Sequence, residues 1–170
     1  HQDNAYLAWY TPREMLTCWI ALDATSSANG TLEFVKGSHR WQRQLQPQGE
    51  FHNPADYQIE IEPAAQQEGQ TPEVIHVEVP RGGGSFHHGW MWHGSGANRS
   101  LDWRRSLVLH GMRSDTQFVP EGLGYGNGPV YSRYKHLDDC DMDENHFPIL
   151  WRQDGHRTAG ISTVIAAQHD

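Results

Sequence analysis

The apolar residues of this chain come in short runs that suit strands and not helices. Thr17-Cys18-Trp19-Ile20-Ala21-Leu22 is rich in strand formers and stops at Asp23 and the polar stretch 24–30. Residues 31–35 follow, closed by the turn-like Lys36-Gly37-Ser38. Residues 74–79 alternate, with Ile75, Val77 and Val79 on one face and His76 and Glu78 on the other. Residues 106–110, from Ser106 to His110, form the fourth run. Helical periodicity is scarce, and 17 glycines supply turns. Short strands between Gly-rich connections predict an all-β barrel or jelly roll.

A length of 170 residues suits one domain, 1–170. Lys plus Arg number 13 against 21 Asp plus Glu, a formal charge of 13 − 21 = −8. That balance predicts no nucleic-acid partner, because phosphate backbones are bound by clustered Lys and Arg. No run nears the roughly 18 apolar residues of a membrane span, and no signal peptide opens the chain, so no membrane partner is expected. Two cysteines, Cys18 and Cys140, make no disulfide scaffold. They imply a reducing, cytoplasmic setting, with Cys18 a buried inert thiol in its strand.

The connections differ in character. Residues 42–71 are polar, contain Pro47, Pro54 and Pro63, and read as a surface insertion or lid. Arg81-Gly82-Gly83-Gly84 reads as a turn. It lacks the Gly-Lys-Ser/Thr that a phosphate loop needs. Beyond residue 116, the segment 122–128 is turn-rich and 138–144 is acidic, without EF-hand spacing. Phe147-Pro148-Ile149-Leu150-Trp151 forms an apolar knot. Residue 1 is His, and the pattern begins at once, which reads as part of a longer or processed chain.

Among the twelve histidines, His1-Gln2-Asp3 stands out beside His93 and Arg104. On a strand, residues two apart share a face, so His1 and Asp3 can reach one metal together. A distant imidazole would complete a two-His, one-carboxylate face with open positions, the arrangement of non-haem Fe(II) oxygenases. His87 and His88 are further metal-ligand candidates beside His93.

Several motifs in order resemble the phytanoyl-CoA dioxygenase family of Fe(II)/2-oxoglutarate oxygenases. They are His1-Gln2-Asp3, Cys18 to Asp23, Asn29-Gly30-Thr31-Leu32, Val35 to Arg40, His93-Gly94-Ser95-Gly96-Ala97-Asn98-Arg99-Ser100 and Arg104-Arg105-Ser106-Leu107. Tyr131 to Lys135 and Met142-Asp143-Glu144 also look like the family. Ala97 stands where the family commonly has Pro.

The resemblance implies a double-stranded β-helix (jelly roll, cupin-like) with irregular insertions and a few short helices. The family carries a region before its HxD motif, so the domain is expected to be N-terminally incomplete. It also implies His1, Asp3 and His93 as iron ligands and catalytic residues. His93 is preferred to His87 and His88 because the His-Gly-Ser-Gly motif and the offset to Arg104 align from it; packing or substrate contact is the role expected of those two. Arg104 would grip the distal carboxylate of 2-oxoglutarate, since a planar charged fork holds a carboxylate by two hydrogen bonds. Gln2, Trp19 and Ser95 match positions lining the cosubstrate pocket, while Arg105 points the other way.

The activity so implied is hydroxylation of a C–H bond in a small-molecule substrate by Fe(II), 2-oxoglutarate and O2, with release of succinate and CO2. Asp3 favours hydroxylation over halogenation, because related halogenases replace this carboxylate with a small residue. The net charge weighs against strongly anionic substrates such as CoA esters. Two other readings compete: a copper monooxygenase using an N-terminal His brace, and a jelly-roll binding module without turnover.

Overall fold

The structure is a computed structural model that describes residues 1–41, 61–120, 133–136 and 138–167. The first part of the 42–71 insertion, the 122–128 turns and the family-like Tyr131 and Ser132 lie outside the described residues. The chain divides into two compact units, His1–Tyr6 with Glu14–Gly111 and Leu7–Arg13 with Met112–Asp170.

The first unit holds two three-stranded sheets. Strands β2 (Met15–Ala21), β5 (Gly84–His88) and β7 (Ser106–Met112) form one, in the order β5-β2-β7. Strands β3 (Leu32–Val35), β4 (Val74–His76) and β6 (His93–Ser95) form the other, in the order β4-β3-β6. The chain crosses between the sheets from β2 to β3 and at each step from β4 to β7, while β3 and β4 stay in one sheet, and among the described residues the sheets do not close into a barrel. The β2–β5, β3–β4 and β3–β6 pairs are antiparallel.

The alternation of β2 sets its inner face. Met15, Thr17, Trp19 and Ala21 are buried, whereas Leu16 is half exposed. Trp19 and Ala21 pack with Leu32 and Phe34 of β3, and with Val77, Val79 and Met91 at their margin. Phe34 also meets the His87 ring of β5 at 4.9 Å, so the sheets face one another. A second core joins Val35, Trp92, Ile61 and Ala64, with Trp41 beside them.

The structure departs from the sequence expectations at several elements. The 74–79 run is a strand only over Val74–His76, and Ile75 is exposed. Val77 N–H still donates to the Leu32 oxygen at 2.8 Å, and Thr25 binds the chain at Val77 and Val79. Thr25 Oγ1 donates to the Val77 oxygen at 2.9 Å, and Thr25 N donates to the Val79 oxygen at 2.9 Å. Part of the insertion is a helix, α2 (Ile61–Gln67), whose Ile61 and Ala64 enter the core. His1 and Asp3 do not share a strand. Asp3 opens a short helix, α1 (Asp3–Tyr6), because the chain turns back through Ala5 N–H to the Gln2 oxygen (3.0 Å).

Close approach requires glycine at positions that include Gly84 and Gly89. A Cβ on Gly84 would collide with the Trp19 carbonyl oxygen, so the glycine run serves the β2–β5 pairing. It leads into a strand, not a phosphate-binding helix. A Cβ on Gly89 would collide with the Asn4 side chain, and Asn4 N–H donates to the Gly89 oxygen at 3.0 Å. That contact docks α1 against the end of β5.

The second unit is built on strands β1 (Tyr10–Thr11) and β8 (Gln117–Phe118), paired antiparallel. Trp9, Phe118 and Phe147 stack around them, with ring centroids 5.6–6.1 Å apart. Phe147 thus joins a core, whereas Leu150 and Trp151 of the same apolar knot are exposed. In the acidic stretch, Glu144 accepts from Thr158 Oγ1 (2.6 Å) and lies 2.9 Å from His156 Nε2. A short helix, α3 (Ile161–Ala166), follows. Among the described residues, no helix is long and apolar enough to cross a membrane.

The core assigns stability unevenly. Trp92 is 2% exposed and Leu101 fully exposed. In urea denaturation, Trp92→Ala is expected to cost about 3–5 kcal/mol. Leu101→Ala is expected to stay within about 0.5 kcal/mol of the parent protein.

Candidate metal centre

Three chain segments converge between the two sheets. His1 lies along β6 through reciprocal backbone bonds, His93 N–H to the His1 oxygen (2.9 Å) and the His1 amino group to the His93 oxygen (2.7 Å). Paired bonds of this kind are the antiparallel ladder pattern, and they set the two imidazoles side by side, 4.1 Å between ring centroids. The α1 turn then brings Asp3 beneath them. Its Oδ1 lies 3.3 Å from His1 Nε2 and 3.4 Å from His93 Nε2. One ligand atom from each residue lies within 4.8 Å of the others.

The electrostatics of this cluster are unusual. Burial alone would raise the Asp3 carboxyl, but its imidazole neighbours, His1 and His87 first among them, overcome it and hold the acid far below the usual carboxylate range. Burial lowers His93, which keeps its ring neutral. His93 Nδ1 lies 2.9 Å from the Met91 carbonyl oxygen. A carbonyl only accepts, so Nδ1 carries the proton and Nε2 presents a lone pair. That lone pair faces an anionic oxygen. Two electron-rich atoms held together in a buried site are the arrangement a cation relieves, and the tautomer is the one a metal-binding imidazole needs.

The other sequence candidates fall in different places. Gln2 is fully buried, and its Nε2 donates to the Trp90 oxygen at 2.8 Å. Trp19 is buried on the inner face of β2, and Ser95 is exposed on β6 opposite Leu32. His88 accepts from Trp90 N–H at its Nδ1 (3.1 Å), a local turn contact.

Arg104 and Arg105 precede β7. Leu22 N–H donates to the Arg105 oxygen at 2.9 Å, and Thr17 Oγ1 lies 3.0 Å from His110 Nδ1. Rising numbers in β2 thus meet falling numbers in β7, the antiparallel sense. Arg104 stands two residues before the start of β7, at even spacing from His110. Arg104 is half-buried and makes no hydrogen bond or ion pair among the described residues. Arg105 is tied outward to Asp23, Nε to Oδ2 at 2.9 Å and Nη2 to Oδ1 at 2.7 Å, with its backbone N–H also on Oδ2.

Residues 1–106 match the family model described as Phytanoyl-CoA dioxygenase (PhyH). The chain belongs to the phytanoyl-CoA dioxygenase family. A Caenorhabditis elegans protein named "Probable phytanoyl-CoA dioxygenase" is 30% identical over 126 residues, covering 68% of this chain and 36% of that protein. The peroxisomal phytanoyl-CoA dioxygenase of Homo sapiens is 24% identical over 130 residues, 70% of this chain and 34% of that protein. The chain thus matches about a third of the length of these family members. Among solved structures, the non-heme alpha ketoglutarate dependent carbocyclase SnoK from nogalamycin biosynthesis is similar. Its TM-score is 0.60 at 25% identity, covering 85% of this chain and 51% of that one. The likeness places the two facing sheets in the family's double-stranded β-helix, here with unclosed sheets.

Two residues at the centre, Thr17 and His110, escaped sequence reasoning, while His87, weighed there as a ligand candidate and expected to serve packing or substrate contact, stands beside Asp3. His87 Nε2 lies 3.4 Å from Asp3 Oδ2, and Thr17 Oγ1 donates to the same oxygen at 2.6 Å. The only sequence signal for them was strand alternation, which needs a register that a single sequence lacks.

The Asp23–Arg105 fork carries a pH signature. Hydrogen bonds from the Arg105 side chain and backbone pull the Asp23 carboxyl down to about 2. Its folded value lies below the unfolded one, so its contribution is complete above about pH 4 and is lost as pH falls through about 2. Carboxyl 13C titration should find Asp23 near that value, and Arg105→Gln should return it towards about 3.9.

Proposed function

We propose that this chain carries the metal and cosubstrate centre of an Fe(II)- and 2-oxoglutarate-dependent oxygenase that hydroxylates a C–H bond of a small molecule. The observation that carries the reading is the neutral His93 lone pair aimed at the buried Asp3 carboxylate, with His1 on the same oxygen. Two imidazoles and one carboxylate suit Fe(II) and leave positions for cosubstrate and O2. Bound Fe(II), with 2-oxoglutarate and O2, supplies oxidation of the C–H bond to C–OH, while the cosubstrate leaves as succinate and CO2.

The residues of the chain bind and orient. The Met91 carbonyl holds the His93 proton on Nδ1, so that Nε2 stays available as a donor. Arg104, at even spacing from His110 and with no protein carboxylate to satisfy it among the described residues, grips the distal carboxylate of 2-oxoglutarate through its fork. The Asp23–Arg105 pair turns the adjacent guanidinium outward and leaves Arg104 for the cosubstrate. Trp19 walls the inner face and keeps water from it. Gln2, bound to the Trp90 oxygen, steadies the turn between His1 and Asp3.

Protein supplied with Fe(II), ascorbate and 2-oxoglutarate is expected to form succinate without added substrate. Asp3→Ala should reduce that rate to background. Arg104→Lys should raise the KM for 2-oxoglutarate about tenfold or more, since it keeps charge and loses the fork. Anaerobic Fe(II) with 2-oxoglutarate should give a visible charge-transfer band. Absence of both band and succinate would favour the binding-module reading instead.

A further inference from the structure

Asp3 offers its two oxygens to different neighbours. Oδ1 faces His1 and His93, whereas Oδ2 accepts the Thr17 hydroxyl at 2.6 Å and lies 3.4 Å from His87 Nε2. Thr17 and His87 stand directly opposite in the β2–β5 register. Thr17 Oγ1 also lies 3.0 Å from His110 Nδ1 on the other side of β2. His87, Thr17 and His110 therefore form one row across the inner face of a single sheet.

The hydrogen-bond directions within this row are determined. Thr17 has one hydroxyl proton, and Asp3 takes it, so the Thr17 oxygen must accept from His110 Nδ1–H. His87 is 4% exposed, and neither ring nitrogen has a well-formed hydrogen bond. A buried imidazole left that way is costly, and the nearest acceptor to its Nε2 is Asp3 Oδ2.

We propose that Thr17 and His87, with His110 behind Thr17, are positioning residues that reserve Asp3 Oδ1 for the metal by occupying Oδ2. The inference rests on the oxygenase reading above and goes beyond it in saying how the carboxylate is presented. A carboxylate engaged at Oδ2 ligates through one oxygen and leaves the remaining coordination positions to cosubstrate and O2. A carboxylate free to rotate takes one of those positions itself.

Co(II) titration of the metal-free protein, followed by visible absorption, tests the proposal. Thr17→Val and His87→Phe should each weaken Co(II) binding by about 10–100-fold and shift the band. Thr17→Ser and His87→Gln, which keep a donor, should stay within about threefold of the parent protein. No Co(II) uptake by the parent protein would overturn the oxygenase reading and this inference with it. Normal uptake with undiminished affinity in Thr17→Val and His87→Phe would overturn this inference alone, as would Thr17→Ser binding as weakly as Thr17→Val. Should the Val and Phe variants fail to fold, the unmutated Zn(II)-loaded protein decides by long-range 1H–15N spectra. Protons on His87 Nε2 and His110 Nδ1 are expected, and an unprotonated His87 Nε2 would overturn the inference.

Discussion

The arrangement of the first unit turns on one buried carboxylate. Removing Asp3 from water is expensive, and a lysine or arginine partner would be the usual compensation. Among the described contacts its partners are instead three imidazoles and a threonine hydroxyl. The Thr17 hydroxyl donates to one oxygen, whereas the His93 lone pair faces the other. The site is therefore tolerable as folded protein and far more favourable around a divalent cation, which couples metal affinity to folding.

The surrounding architecture supplies those partners from separate elements. β6 carries His93 and, through paired backbone bonds, aligns His1. The β5-β2-β7 sheet supplies His87, Thr17 and His110. Gly89 permits α1 to approach closely enough to lower Asp3 between the sheets. The apolar cluster of Trp19, Ala21, Leu32 and Phe34 holds the sheets face to face. Each of these contributions is ordinary packing or pairing, and their intersection is where the chemistry resides. The Arg105–Asp23 fork extends the same logic to the sheet edge, where an outward pair fixes Arg105.

Much of this was legible in the chain, and the failures are informative. The 17–22 and 106–110 runs correspond to β2 and β7 because their β-branched and apolar content matches a half-buried pleated surface. β5 and β6 were missed since Gly-Ser-Phe-His-His and His-Gly-Ser carry no apolar alternation. Their pairing comes from neighbours and not from propensity. HxD was expected on a strand; the observed turn achieves the same meeting of His1 and Asp3 by folding Asp3 back. The polar insertion hid a helix because only Ile61, Ala64 and Ala65 face inward, too few for a clear period.

The order and identity of the motifs determined the family and the candidate ligands His1, Asp3 and His93, because donor chemistry is a property of residue type. Residue type also determined that Arg, with its planar fork, suits the place after the His-Gly-Ser-Gly segment. Only the tertiary structure decided which Asp3 oxygen meets which imidazole, that His87 and not His88 reaches the centre, and that Arg105 is committed to Asp23. Those outcomes depend on strand register and on backbone acceptors such as the Met91 carbonyl, which set direction and tautomer and leave no trace in side-chain identity.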